Sequence, residues 1–225
     1  MSPIRATLWD LGGVVFTSPF DAFARYERER GLPEGFIRRL NARDPDRNAW
    51  ARLERGEIDL DEFVGQFEAE ARAAGGDLDG WEVLRLLRGD VRPEMAEAVR
   101  RCREAGFKVG ALTNNFVGLD DAAARGRPEV LGLFDVVVES AKVGLRKPDP
   151  RIYELACDLL CVKPPEVVFL DDLGINLKPA RALGMVTIKV TDPEEALAEL
   201  EAVLALPLRS TGRWSGGARG ARGAS

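Results

Sequence analysis

Five short apolar runs, at residues 4–9, 107–113, 134–138, 166–170 and 185–190, divide this chain and allow few architectures. Between the later runs the apolar residues recur three and four apart. Met95, Ala98, Val99 and Cys102 follow Pro93, and Ile152, Leu155 and Leu159 follow Asp149 and Pro150. A short helix is expected at 177–183, and a closing one starts at Asp192 and Pro193 and runs to about residue 206. Continuous apolar runs of this length are strands buried on both faces. Strands alternating with helices predict a parallel sheet covered on both sides, because a right-handed crossover helix packs back on the sheet. The first run stops at Asp10, followed by Leu11, Gly12 and Gly13. A carboxylate at the end of a buried strand is costly without a partner. In open α/β sheets ligands collect at the carboxyl ends of strands, which puts Asp10 where chemistry takes place. The alternative for Asp10 alone is an Asx-turn ahead of the glycines.

Between the first and second runs the periodicity is helical throughout. Ser18, Pro19 and Asp21 mark a helix start, 33–40 and 49–56 read as short helices, and 41–48 as a loop. Asp59 with Glu62 and Asp79 with Glu82 have capping-box spacing ahead of Phe63, Phe67 and Ala71 and of Val83, Leu84, Leu86 and Leu87. The expected organisation is an α/β, Rossmann-like core made of 1–17 and 88–208, an inserted α-helical cap at 18–87, and a Gly-, Ser- and Arg-rich tail at 209–225. The tail has too little apolar surface to order itself.

The chain has 225 residues, a net charge of −5 and no histidine. The charge argues against nucleic acid as a partner, and no apolar run is long enough to span a membrane. The lack of imidazole excludes Ser-His and Cys-His nucleophilic catalysis, leaving carboxylates and lysine as the reactive groups. Cys102, Cys157 and Cys161 have neither metal-type spacing nor an even count, so no disulfide framework is expected. Cys157 and Cys161 read as core filling on one helix face, and a cytoplasmic location is expected. Oligomeric state is left open.

Four strand ends carry polar groups: Asp10; Thr113 with Asn114; Lys147, beyond the third run; and Asp171 with Asp172. In a doubly wound sheet these ends share one rim. Asp10 and Asp172 would give Mg²⁺ the hard oxygen ligands it prefers, and Lys147 would offset the negative charge of a nucleophile and a phosphate. Thr113 and nearby amides would bond phosphoryl oxygens. Taken singly, each has a plainer account: a solvated loop lysine, a turn, or a pair of helix caps.

DLGGV at Asp10, LTNN ending at Asn115, KPDP at Lys147 and FLDD ending at Asp172 together resemble the four signature segments of the haloacid dehalogenase superfamily, across roughly residues 5–190. The stretches ESAKVGLRKPDPRIYELA and VVFLDDLGINLKPARALGMVTI are similar to the amino-terminal phosphatase domain of soluble epoxide hydrolase and to a domain fused to some acyl-CoA dehydrogenases. The resemblance implies that Asp10 is a nucleophile forming an aspartyl-phosphate and that Mg²⁺ is held by Asp10, the Gly12 carbonyl and Asp172. It also implies Thr113 and Asn114 on the phosphoryl group, Lys147 as charge clamp and Asp171 behind them, acting on a small phosphorylated substrate. In one respect the chain departs from the family's phosphatases: Gly12 stands where they carry a second aspartate that protonates the leaving oxygen. Slow turnover of alkyl phosphates is therefore expected, with less loss on acidic leaving groups. Two alternatives remain, a metal-independent dehalogenase and a catalytically silent binder of a phosphorylated ligand or a protein. Specificity is assigned to the cap segment 44–55, with Arg47, Trp50, Arg52 and Arg55 expected to face the pocket.

Overall fold

The computed structural model describes residues 3–87, 89–116 and 127–209. Its elements run β1 (Ala6–Trp9), α1 (Phe20–Glu29), α2 (Phe36–Asn41), α3 (Ala49–Glu54), α4 (Leu60–Ala73), α5 (Gly80–Arg85), α6 (Pro93–Glu104), β2 (Lys108–Thr113), α7 (Arg127–Leu131), β3 (Val136–Glu139), α8 (Ser140–Val143), α9 (Pro150–Leu160), β4 (Val167–Asp171), α10 (Gly174–Ala182), β5 (Val186–Lys189) and α11 (Pro193–Leu204). The strands form one parallel sheet in the order β3-β2-β1-β4-β5. The central strand β1 sets Ala6 opposite Lys108 on one side and Val167 on the other. From β1 the chain builds outward through β2 and β3, then crosses to β4 and β5. The strand order therefore reverses between β1 and β4, where a crevice opens at the carboxyl ends.

Period-two alternation divides each strand between two cores. Trp9, Val109, Ala111, Val168 and Leu170 pack with α6 and α11, while Ala6, Leu8, Leu112 and Phe169 pack with α9 and α10. Trp9 satisfies its indole N–H on the Thr7 hydroxyl at 2.8 Å, so the largest side chain of β1 leaves no unpaired donor.

The helical insert between β1 and β2 has its own core, in which Trp50 lies edge-on to Phe63 with ring centroids 4.8 Å apart and Phe63 stacks on Phe67. The expected capping box of Asp59 and Glu62 starts α4, and the Asp79 carboxylate accepts from the Glu82 N–H at the start of α5. The buried Glu27 carboxylate accepts the main-chain N–H groups of Gly35 and Ile37 at 2.6 and 2.8 Å, tying α1 to the start of α2. Two linkers join insert to sheet side by side: the Thr17 N–H donates to the Asp90 carbonyl at 2.8 Å, and the Arg92 N–H to the Val15 carbonyl at 2.9 Å.

Some boundaries differ from the sequence reading. β3 begins at Val136 because Phe134 turns down into the core and Asp135 binds the Val109 N–H through its side chain at 2.9 Å. α10 begins at Gly174, earlier than expected, because the Asp171 side chain turns the chain directly into the helix. α7 and α8, both one turn or little more, were not expected. Cys157 is buried, but Cys161 is exposed in a left-handed conformation just past the end of α9, so the two do not share a packed face; all three cysteines are free. Among the described residues no helix is long and apolar enough to cross a membrane. The expected disordered tail beyond residue 209 lies outside the described residues.

Candidate active site

β1 and β4 end side by side, and the sheet ladder continues one residue further as the Asp10 N–H donates to the Leu170 carbonyl at 2.9 Å. Asp10 and Asp171 are thereby brought to a common ammonium: Lys147 Nζ lies 2.8 Å from Asp10 Oδ1 and 2.7 Å from Asp171 Oδ2. Lys147 is 1% exposed and Asp171 fully buried, so these are charges removed from water and held by one another. Burial works against the lysine's charge, but the two carboxylates outweigh it and its pKa is raised. Asp171 is also gripped from behind, by the Leu173 N–H at 2.8 Å on Oδ1 and by the Asn176 amide at 3.0 and 3.1 Å. The Tyr153 hydroxyl donates to the Asn176 carbonyl at 2.7 Å. Neither Asn176 nor Tyr153 was singled out from sequence; an Asn five residues past a strand-end Asp is the signal that was there. Among the described residues, the Leu11 N–H and Lys147 both meet Oδ1 of Asp10, and Oδ2 accepts no hydrogen bond.

Asp172 completes an acidic group in which Asp10, Asp171 and Asp172 each place an oxygen within 4.8 Å of the others. Gly13 makes room for it. Its φ is +80°, and a Cβ there would stand 2.4 Å from Asp172 Oδ2. Desolvation and the Asp171 charge push Asp172 up to about 6. Asp10 is raised well above the carboxylate range by burial, against Lys147, with Asp171 and Asp172 adding to the shift. Three carboxylates face one lysine, which leaves surplus negative charge in a buried site. A hard divalent cation held by oxygen ligands fits this donor set. A Cβ at Gly12 would meet nothing within 4 Å.

Thr113 is buried at the end of β2 and lines the same cavity. The Asn114 side chain is engaged by the Lys147 main chain, accepting from its N–H at 2.8 Å and donating to its carbonyl at 3.0 Å. The Asn114 amide thus fixes the loop that carries the lysine. The cavity, about 750 Å³, runs from Asp10 up into the insert, where Phe20, Phe23 and Trp50 form part of its wall. Of the four cap residues expected to face it, only Trp50 does. Arg52 turns to Gln66 and Glu57, Arg55 to Glu57 and the Asp46 carbonyl, and Arg47 is exposed. Among the described residues, the cations that line the cavity are Arg38 and Arg146 besides Lys147.

The profile of the haloacid dehalogenase-like hydrolases matches residues 4–184. The chain belongs to that family. This haloacid dehalogenase-like hydrolase is 37% identical over 224 residues to bifunctional epoxide hydrolase 2 of Sus scrofa, a match covering 92% of the chain but 40% of that protein's length. It is 29% identical to the sesquiterpene phosphatase astK of Aspergillus oryzae, over 87% of this chain and 94% of that one. A solved dehalogenase with an intermediate complex superposes with a TM-score of 0.65 at 23% identity, over 91% and 99% of the two chains. A family enzyme of Bacteroides thetaiotaomicron, solved with magnesium and inorganic phosphate, superposes at 0.58 and 21%, over 83% and 93%. These two likenesses bear on the fold. The family expected from the four signature segments is borne out.

Proposed function

We propose that this hydrolase is a Mg²⁺-dependent phosphatase that moves the phosphoryl group of a small phosphorylated metabolite first to Asp10 and then to water. The observation that carries this reading is the bridging of Asp10 and Asp171 by the buried Lys147 ammonium at the closed end of a cavity sized for a metabolite. With Oδ1 held by Lys147 and the Leu11 N–H, Oδ2 of Asp10 is directed to the phosphorus. Lys147 and Thr113 hold the developing phosphoryl charge, and Asn114 keeps the lysine in register. Asp10, the Gly12 carbonyl and Asp172 would hold Mg²⁺, which when bound neutralises phosphate charge and orients an oxygen of it. Asp171 organises Lys147 from behind. The cap, residues 18–87, closes over the core formed by 1–17 and 88–208, and Phe20, Phe23 and Trp50 receive the organic part of the substrate. The sesquiterpene phosphatase that this chain matches over most of its length supports phosphoryl chemistry. Three free cysteines agree with a cytoplasmic site of action.

A second reading rests on Gly12: a halide leaves without a proton, and this position offers none. The acidic group at Asp172 weighs against it, since displacing halide needs no cation. Turnover of p-nitrophenyl phosphate, acetyl phosphate and chloroacetate with and without Mg²⁺ separates the two. The expected result is phosphate release that requires Mg²⁺ and is abolished in Asp10→Asn. Metal-independent halide release would overturn the phosphatase reading, as would phosphate binding with no turnover of any substrate.

A further inference from the structure

An alkoxide leaving from phosphorus needs a proton, and the groups already described cannot give one. Asp10 is the attacking group, Asp171 is fully engaged, Asp172 is on the cation side and Gly12 has no side chain. In-line displacement places the leaving oxygen opposite Asp10, on the side that faces the insert. Among the described residues, the remaining acids lining the cavity are Asp46, Glu54 and Glu139. Asp46 is exposed, and Glu139 is taken by the Asn115 amide and Lys142. Glu54, at the end of α3, has a side chain only 16% exposed. Arg146 Nε lies 2.7 Å from its Oε2, and the Asn114 amide donates to the same oxygen at 3.3 Å. Among the described residues Oε1 accepts no hydrogen bond. Asn114 also holds the Lys147 main chain, so Glu54 is linked through two residues to the nucleophile.

The position of Glu54 is set by the core as much as by the insert. Just beyond α3, Gly56 passes so close to α8 that a Cβ there would stand 2.7 Å from the Ala141 carbonyl. Arg146, a core residue, also donates to the Pro45 carbonyl of the insert at 2.7 Å. Burial raises the pKa of Glu54 even though Arg146, Lys147 and Arg55 all face it, so more of it is protonated near neutrality than of an ordinary glutamate.

We propose, resting on the Asp10 reading above, that Glu54 is the acid and base of this site, supplied by the cap in place of the side chain missing at Gly12. As Asp10 Oδ2 bonds to phosphorus and the P–O bond to the organic group breaks, the Oε1 proton of Glu54 passes to the departing oxygen. This releases the alcohol and leaves an aspartyl-phosphate and a Glu54 carboxylate. The carboxylate then takes a proton from water as the water oxygen attacks phosphorus. Inorganic phosphate leaves, and both Asp10 and the protonated Glu54 are regenerated.

The test compares wild type, Glu54→Gln and Glu54→Gln/Gly12→Asp on p-nitrophenyl phosphate and on glycerol phosphate, with Mg²⁺. In Glu54→Gln, kcat/KM on glycerol phosphate is expected to fall about 10²-fold or more. On p-nitrophenyl phosphate, whose leaving group needs no proton, kcat/KM should hold within a few fold. Its time course should show a burst of one p-nitrophenolate per enzyme as the aspartyl-phosphate accumulates. The added Gly12→Asp, whose Cβ would meet nothing within 4 Å, should restore glycerol phosphate turnover. In wild type, kcat/KM on glycerol phosphate should fall at alkaline pH through a limb missing with p-nitrophenyl phosphate, a measurement that needs no variant. Equal losses on both substrates without a burst, or a wild-type alkaline limb common to both, would overturn the role of Glu54 while leaving Asp10 in place. Wild type inert on p-nitrophenyl phosphate would overturn both readings.

Discussion

Replacing Lys147 with Met keeps most of the side chain's volume and removes the charge that meets Asp10 at 2.8 Å and Asp171 at 2.7 Å. The lysine is 1% exposed, so water cannot take its place, and the two carboxylates stay buried with no counter-ion. Losing one partner of a buried ion pair costs about 3–5 kcal/mol, the range expected here. The pH dependence gives a second check. In wild type Lys147 titrates above its ordinary value, so its contribution is intact through neutral pH and lost only as pH rises through the folded pKa. In the variant Asp10, already raised by burial, rises further. It takes up a proton on mild acidification, and the gap to wild type narrows from about pH 8 to about pH 5. Mg²⁺ should recover part of the loss at the higher pH by supplying positive charge. The assay is urea unfolding at both pH values with and without Mg²⁺. A gap below about 1 kcal/mol at the higher pH, or one that widens on acidification, would refute the reasoning.

Gly13→Ala forces a Cβ to within 2.4 Å of Asp172 Oδ2 at a φ of +80°. It should lower stability by about 1–2 kcal/mol and displace Asp172, read as a lower melting temperature together with weakened Mg²⁺ binding in calorimetry. Because burial and the Asp171 charge push Asp172 up to about 6, Mg²⁺ affinity should fall as pH drops through that value, since a protonated carboxyl is a poor ligand. Calorimetric titrations on either side of it should show the difference.

The rim was legible because each of its polar residues interrupts or follows an apolar run. A charge at the end of a buried strand has few explanations, and Asp10 and Asp171 appear at such points, with Thr113 ending β2 and Lys147 on the loop that follows β3 and α8. The supporting contacts were not legible. Asn114 and Lys147 are 33 residues apart, and the Asn114 side chain meets only main-chain groups of Lys147, which leave no mark in residue type. Asn176 sits in a segment that reads as loop until the Asp171 carboxylate is seen to start the helix. The facing of α3 was misjudged because an insert helix has two apolar neighbours, its own core and the cavity. Trp50 serves both, and the arginines beside it turn to Gln66, Glu57 and Asp46. Glu54, four residues after Trp50 on the same face of the helix, was not singled out from sequence.

The two linkers that bond to each other at Thr17 with Asp90 and at Val15 with Arg92 make a single doorway between sheet and insert. A different helical module could be grafted through that doorway without cutting a strand or moving Asp10, Lys147 or Asp171. If Glu54 supplies the proton, however, such a graft would exchange half of the chemistry together with the selectivity. A swapped chimera would keep its electrophile-attacking half and inherit its proton donor from the newcomer.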